Sequence, residues 1–199
     1  MVLDLKIAQL PQLLRAPLCG VSFDSLDRQV ELVFDSRQVK KGSVFWALKG
    51  EKFDGHTFAT QALQQGAEAV VVDQSVVEKN PKALSAYIPV HNTNEALLQF
   101  ASRYSELFSA CKIGITGSNG KTTTKEMINA ILSKKWSGWA TEGNFNNHIG
   151  VPFTLLGIKK NYRYAVVEMG TNHPGEIAQL TRAVQPDIAL ITTIGDSHL

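Results

Sequence analysis

No apolar run in this chain approaches the ~20 residues a helix needs to cross a bilayer. The opening Met1-Val2-Leu3-Asp4 also lacks the basic flank and cleavage site of a secretory leader, so a cytoplasmic protein is the expectation. Cysteine is scarce. Cys19 and Cys111 stand far apart and match no metal or redox spacing, which excludes a disulfide framework and leaves them as reduced structural thiols. Neither sign of charge is in excess: 20 basic against 18 acidic residues leave a net +2, spread without long runs, so no footprint for a nucleic-acid backbone or a membrane surface exists. Internal repeats and low-complexity stretches are absent too, so a repeat array is not expected.

What is present suits a packed core. Hydrophobic residues make up 44% and charged residues 19%, enough apolar material for a globular interior and too little charge for a disordered tail. At 199 residues the chain exceeds the usual single-domain size, so two domains, or one and part of another, are expected.

Periodicity predicts an α/β protein: a small mixed α/β N-terminal domain over residues 1–108, then part of a domain with a mainly parallel sheet over 109–199. In the first, Leu5 to Leu14 is expected to be a helix, and Val30 to Phe34, Ser43 to Leu48, Ala69 to Asp73 and Tyr87 to Val90 strands. Thr57 to Gln65 is expected to be a helix stopped by Gly66. Asn94 is expected to cap another, with Leu97, Ala101, Tyr104 and Phe108 forming a buried stripe. In the second, Cys111 to Thr116, Tyr164 to Met169 and Ile188 to Ile194 read as strands. Thr122 to Ser133 reads as a helix with Met127, Ile128, Ile131 and Leu132 on its apolar face. Pro174 to Val184 opens with a proline suited to a first helical turn. Strands this apolar need helices on both faces, and two cannot cover them, so a truncated piece of a larger domain is expected.

The strongest signal is Gly114-Ile115-Thr116-Gly117-Ser118-Asn119-Gly120-Lys121-Thr122-Thr123, set between an expected strand and an expected helix. Glycines let successive N–H groups turn inward around phosphate oxygens, and the helix start adds partial positive charge. Lys121 would neutralise the terminal phosphates and Thr122 would offer its hydroxyl to Mg²⁺. ATP or GTP is the expected ligand, held by Thr116, Gly117, Ser118, Asn119, Gly120, Lys121, Thr122 and Thr123. The strict pattern G-x-x-x-x-G-K-[ST] asks for glycine at 115, where Ile115 stands; the nearest glycine is Gly114. Ligands in open α/β sheets bind outside the carboxyl ends of the strands, which makes Glu168 a candidate metal carboxylate as well as a plain solvent-facing strand end. His198, on its own, reads as a surface loop residue.

The loop in this variant spacing resembles that of the Mur ligase superfamily, which also contains folylpolyglutamate synthases. Asp35-Ser36-Arg37, Gly42-Ser43-Val44-Phe45-Trp46-Ala47-Leu48, Asp54-Gly55-His56 and Gly66-Ala67 look like the superfamily's first, nucleotide-sugar-binding domain. Gly143-Asn144-Phe145-Asn146-Asn147-His148-Ile149-Gly150-Val151-Pro152 and Glu168-Met169-Gly170-Thr171-Asn172-His173-Pro174-Gly175-Glu176-Ile177 resemble one branch. That branch joins D-alanyl-D-alanine to UDP-N-acetylmuramoyl-tripeptide in peptidoglycan precursor synthesis.

The resemblance implies an ADP-forming amide ligase using ATP and Mg²⁺. Lys121, Glu168 and His198 would be catalytic, and Thr122, Glu168 and His198 would be metal ligands, Thr122 for a first Mg²⁺ and Glu168 and His198 for a second. Ser36 and Arg37 would lie near the uridine end of the substrate, and Asn144, Asn146 and Asn147 near its sugar or peptide. Without the resemblance Arg37 is a surface residue and the asparagines a capped turn. Partners would be these small molecules alone, with no nucleic acid, no membrane insertion and a monomeric state. Members of the superfamily continue past the segment ending in His198-Leu199, into a stretch with a carbamylated lysine and a third domain, so residues 1–199 alone are expected to bind weakly and turn over nothing. The alternatives are the neighbouring ligase that adds the third peptide residue and a non-catalytic nucleotide-binding module.

Overall fold

The computed structural model describes residues 1–50, 52–171 and 173–195, and within it two units are separable, Met1–Ala96 and Leu97–Leu199, each with its own sheet. In the first unit Val2–Lys6 (β1) alternates, with Leu3 and Leu5 buried and their neighbours exposed, which is the period of a strand. It pairs antiparallel with β2 (Gln29–Val33). The helix expected from Leu5 therefore begins later: Ile7–Gln9 is a 3-10 turn, and α1 covers Leu10–Leu14 with Pro11 in its first turn. Leu5 fits a helical stripe or a strand's inner row equally well, and pairing with β2 decides between them.

Strands β3 (Val44–Trp46), β4 (Ala69–Asp73) and β5 (Tyr87–Val90) follow in sheet order, each parallel to the last. Helix α2 (Ala59–Gln64) is preceded by a 3-10 turn at Gly55–Phe58 and ends just before Gly66, whose φ is +101°. Between β4 and β5 lies α3 (Gln74–Lys79), which has no buried side chain and therefore no apolar period to announce it. Helix α4 (Thr93–Ser105) is capped by Asn92 and not by Asn94: Asn92 Oδ1 accepts from the N–H groups of Asn94 and Glu95. Asn94 instead exchanges two hydrogen bonds with the main chain of Lys49. Leu97, Ala101 and Tyr104 are buried as expected, while Phe108 lies past the helix end and meets Tyr104 edge-on at 5.1 Å.

The second unit runs β6 (Cys111–Thr116), α5 (Lys121–Leu132), β7 (Gly138–Ala140), α6 (Gly150–Leu156), β8 (Tyr164–Glu168), α7 (Glu176–Val184) and β9 (Ile188–Ile191). Its strands are all parallel, in the order β7-β8-β6-β9. The chain leaves β6 for one flank and returns from β8 to the other. With right-handed crossovers this sends α5 and α7 to opposite faces and makes the carboxyl end of β6 the switch point of the sheet. Neither β7, three residues long, nor α6, with Pro152 in its first turns, was anticipated. Pro174 precedes the cap residue Gly175 and so stands outside the helix it was expected to open.

The apolar face expected on α5 is divided. Ile128 and Leu132 pack against Ile113, Ile115, Tyr164 and Val166, but Met127 and Ile131 are 60% and 68% exposed. The fully buried side chain of α5 is that of Lys125. On β9, Ile188, Leu190 and Ile191 face solvent. Cys19 and Cys111 are free thiols. Among the described residues no helix is long and apolar enough to cross a membrane.

Candidate active site

The glycine-rich turn sits where β6 hands over to α5. Ile115 is buried in register between Glu168 of β8 and Leu190 of β9, so the strand still runs where the strict phosphate-loop pattern would place its first glycine. The turn proper begins at Gly117, with φ of +135°, and closes at Gly120, with φ of +82°; both values lie where an L side chain is strained. A Cβ at Gly117 would also stand 2.9 Å from the Thr193 carbonyl. Helix α5 then starts with the N–H groups of Gly120, Lys121, Thr122 and Thr123 bonded to no acceptor among the described residues. First-turn N–H groups point out along the helix axis, so they converge on the space in front of the loop.

The segment after β9 holds the turn in shape. Ser118 N–H donates to the Thr193 carbonyl at 2.8 Å, and Asn119 N–H to Thr193 Oγ1 at 3.0 Å. Thr192 Oγ1 and Thr193 Oγ1 lie 2.5 and 3.1 Å from the Asn119 carbonyl, and Ser118 Oγ bonds the main chain of Gly195. Sequence reading missed Thr192 and Thr193; two hydroxyls at the end of an apolar strand were the available signal. Lys121 curls back over its own loop, donating to the carbonyls of Gly117 at 2.6 Å and Ser118 at 3.3 Å. Its ammonium therefore waits beside the turn and not in an unrelated contact.

Opposite the loop, Glu168 ends β8 with 1% exposure. Its Oε1 accepts from Thr122 Oγ1 at 3.2 Å and Asn146 Nδ2 at 2.9 Å, whereas Oε2 has no hydrogen-bond partner. A buried carboxylate oxygen without a partner costs about 1–3 kcal/mol, and such a carboxylate, with a threonine hydroxyl and a helix start beside it, has the chemistry of a divalent-cation site. Thr122 and Glu168, expected to serve two different ions, are in contact. His198 lies outside the described residues. Among the described residues no group of three or more His, Cys, Asp or Glu side chains is poised for a metal, so Thr122 and Glu168 would need phosphate and water oxygens to complete a shell.

The three asparagines do different work. Asn146 holds Glu168, Asn147 Oδ1 accepts the N–H groups of Ile149 and Gly150 and so caps α6, and Asn144 is exposed. Sequence reading also passed over Lys125, whose buried ammonium donates to the carbonyls of Thr141 at 2.8 Å and Gly143 at 3.2 Å.

In the first unit Ser36 and Arg37 form the 3-10 turn Ser36–Gln38 just past β2. The exposed guanidinium of Arg37 is laid across the Asp35 carboxylate, with Nη2 2.6 Å from Oδ2, and these hydrogen bonds pull the Asp35 pKa down to about 2. Nearby in the sequence, His56 is clasped between Asp54 Oδ1 at 2.6 Å and the N–H of Asp73 at 3.0 Å, so its ring carries the proton on Nδ1. Burial alone would raise the Asp54 carboxyl, but the hydrogen bonds from His56 outweigh it and hold it below the usual range. An apolar cavity of about 330 Å³ lies at the amino ends of β6, β8 and β9, among Cys111, Tyr164 and Ile188, away from the phosphate loop.

A parallel sheet, a strand–glycine turn–helix at its switch point and a strand-end carboxylate facing the helix start define a phosphate-loop α/β domain. Comparison with known proteins narrows this. The family described as Mur ligase family, catalytic domain, matches residues 31–105, and the Mur ligase middle domain matches residues 115–199. The chain is 48% identical over 165 residues to the UDP-N-acetylmuramoyl-tripeptide--D-alanyl-D-alanine ligase of Bacillus subtilis, a match that covers 83% of this chain and 36% of that one. It superposes on MurF from Acinetobacter baumannii with a TM-score of 0.85 at 38% identity, covering 99% of this chain and 42% of that one. Against MurF ligase from Thermotoga maritima, solved in complex with ADP, the TM-score is 0.75 at 37% identity, with 85% and 38% covered. The chain belongs to the Mur ligase family. It spans roughly two fifths of the length of these relatives, between 36% and 42%.

Proposed function

We propose that the complete protein is an ATP-dependent ligase that joins D-alanyl-D-alanine to UDP-N-acetylmuramoyl-tripeptide, and that this chain carries its phosphate-binding machinery. The observation that carries the reading is the convergence of Thr122 and Asn146 on Glu168 directly before the unbonded N–H groups of α5. The names of its relatives, and the ADP in the Thermotoga maritima structure, favour the same reading.

In this reaction the terminal carboxylate of the tripeptide attacks the γ-phosphorus of ATP. The bond to the bridging oxygen breaks, and ADP leaves with its electron pair. The amine of D-alanyl-D-alanine then adds to the acyl carbon, inorganic phosphate departs and the nitrogen sheds a proton, leaving an amide. The obstacle is charge, because a carboxylate must approach a polyanion.

The N–H groups of Gly120 to Thr123 would meet the terminal phosphates, while those of Ser118 and Asn119, expected to join them, are taken by Thr193 and brace the loop, and Lys121 would swing from the Gly117 and Ser118 carbonyls onto the phosphates. Thr122 and Glu168 would hold Mg²⁺, with His198 proposed as a further ligand; the ion's chemistry is to offset phosphate charge. Ser36 and Arg37 would meet the uridine end of the substrate and Asn144, Asn146 and Asn147 its sugar or peptide, Arg37 by exchanging Asp35 for a phosphate or carboxylate. A cytoplasmic, monomeric enzyme follows from the same reading.

The test is phosphate release by the complete gene product given ATP, Mg²⁺ and both substrates. Release that requires both substrates is expected, and Lys121→Ala is expected to abolish it. Substantial turnover by that variant, or release indifferent to D-alanyl-D-alanine, would refute the proposal.

A further inference from the structure

A lysine with no exposed surface is uncommon enough to need a reason, since an ammonium is moved out of water only where partners replace its hydration. Lys125 is 0% exposed. Its Nζ reaches the carbonyls of Thr141 and Gly143 at 2.8 and 3.2 Å and Glu126 Oε1 at 3.0 Å, and stands 3.9 Å from Glu168 Oε2. Two protons are thus directed at main-chain carbonyls, Glu126 Oε1 sits beside the ammonium as an ion pair, and Glu168 Oε2 feels the charge without taking a hydrogen bond.

The two carbonyls are not arbitrary. They belong to the strap between β7 and α6 that leads into Asn146. Thr141 is itself anchored on β8, its N–H donating to the Val166 carbonyl at 2.9 Å and its Oγ1 accepting the N–H of Glu168 at 2.9 Å. At the strap's other end the Asn146 carbonyl accepts the N–H of Gly170 at 2.7 Å. Between those anchors nothing except the Lys125 bond to Gly143 ties the strap to α5 among the described residues. Asn146 in turn places its amide on Glu168 Oε1, which leaves Oε2 as the oxygen not spoken for.

We propose that Lys125 is a positioning residue for Glu168: by pinning the Thr141–Gly143 main chain it fixes the Asn146 amide on Oε1, the oxygen that Thr122 also meets, and so holds the carboxylate in one orientation for a divalent cation, with Oε2 left without a hydrogen bond. The helix that supplies Lys121 to the nucleotide thereby also sets, one turn further on, the geometry of the acidic partner. The cation half of this rests on the nucleotide-binding reading above; the Asn146 half does not.

The test uses the whole chain with Lys125→Met and two readouts. First, without ligand, the side-chain amide protons of Asn146 are followed by ¹⁵N-resolved NMR. A carboxylate-bonded proton, shifted downfield, is expected in the parent chain and its collapse to the position of a free amide in Lys125→Met, with the β6 and β8 amides unmoved; an unchanged Asn146 signal overturns the proposal. Second, Mn²⁺ binding with ADP is expected to weaken by about 10–100-fold in Lys125→Met, as for loss of other groups that orient a metal ligand. Asn146→Ala should weaken it comparably and the double variant little further, because the two act in series; additive losses overturn it. Should the parent chain bind no Mn²⁺ with ADP, the nucleotide reading falls while the amide signal still decides the role of Lys125. If Lys125→Met does not fold, Lys125→Arg keeps the buried cation, but its longer planar fork cannot place N–H groups on the Thr141 and Gly143 carbonyls from the same point. The same collapse of the Asn146 signal is then expected, and its persistence counts against the proposal.

Discussion

Thr122 and Glu168 lie 46 residues apart in the sequence and 3.2 Å apart in space, the hydroxyl at the start of α5 donating to the carboxylate at the end of β8. Glu168 ends β8, and Thr122 opens the helix that follows the neighbouring parallel strand β6. The contact is therefore a product of sheet order: β8 lies directly beside β6, and the two rise in register, with Ile115 opposite Glu168.

Glu168→Gln keeps the side-chain shape and removes the charge. It is expected to leave Lys125 without its buried counter-charge, lowering stability by about 3 kcal/mol, the scale for breaking a buried ion pair. Equilibrium denaturation in urea checks this. Mn²⁺ binding with ADP should disappear in the same variant, and its persistence would remove Glu168 from the cation site.

Thr193→Val deletes the hydroxyl that both accepts from Asn119 N–H and faces the Asn119 carbonyl, with little change of volume. A stability loss of about 1 kcal/mol is expected from a hydrogen bond of this kind. Because it braces the turn proposed to hold the phosphates, ADP affinity should fall by about fivefold, measured by calorimetry; a loss of stability with unchanged affinity would show the brace to be unconnected with binding.

The Asp35 carboxyl should titrate near pH 2, since the Arg37 guanidinium stabilises its ionised form. Its folded pKa lies below the unfolded value of about 3.9, so whatever it adds to stability is present above that value and is lost as the pH falls through about 2. In Arg37→Ala the midpoint, followed by NMR of the side-chain carboxyl, is expected to climb back towards the ordinary range. A midpoint that stays near 2 would assign the depression to another cause.

Asn92→Ala removes the acceptor of the Asn94 and Glu95 N–H groups and should cost about 1 kcal/mol, the usual worth of an N-cap. Asn94→Ala, which disturbs only the link to Lys49, is expected to leave amide exchange in the first turn of α4 unaltered.

How far such features were legible depends on how local their causes are. The strand–glycine turn–helix unit could be read because its parts are contiguous, and Gly117 and Gly120 announce φ values that other residues resist. Asn92 and Asn94 could not be told apart, because both have a capping side chain and only the path of Lys49 decides which is occupied elsewhere. Met127 and Ile131 read as part of one apolar face because a helix has one apolar stripe in sequence, whereas the sheet covers only the part of it that Ile128 and Leu132 occupy. Lys125, written in the alphabet of solvated helix faces, gave no sign of burial.

By itself, then, the sequence determined an α/β chain with a glycine turn between a strand end and a helix start, because backbone conformation and side-chain period are local properties. Only the tertiary structure decided which acid meets Thr122, which hydroxyls brace the turn and where the buried lysine directs its protons. Those partners come from β8, from the segment after β9 and from the strap before α6, and it is the crossing of the chain to both flanks of β6 that brings them to one end of one strand.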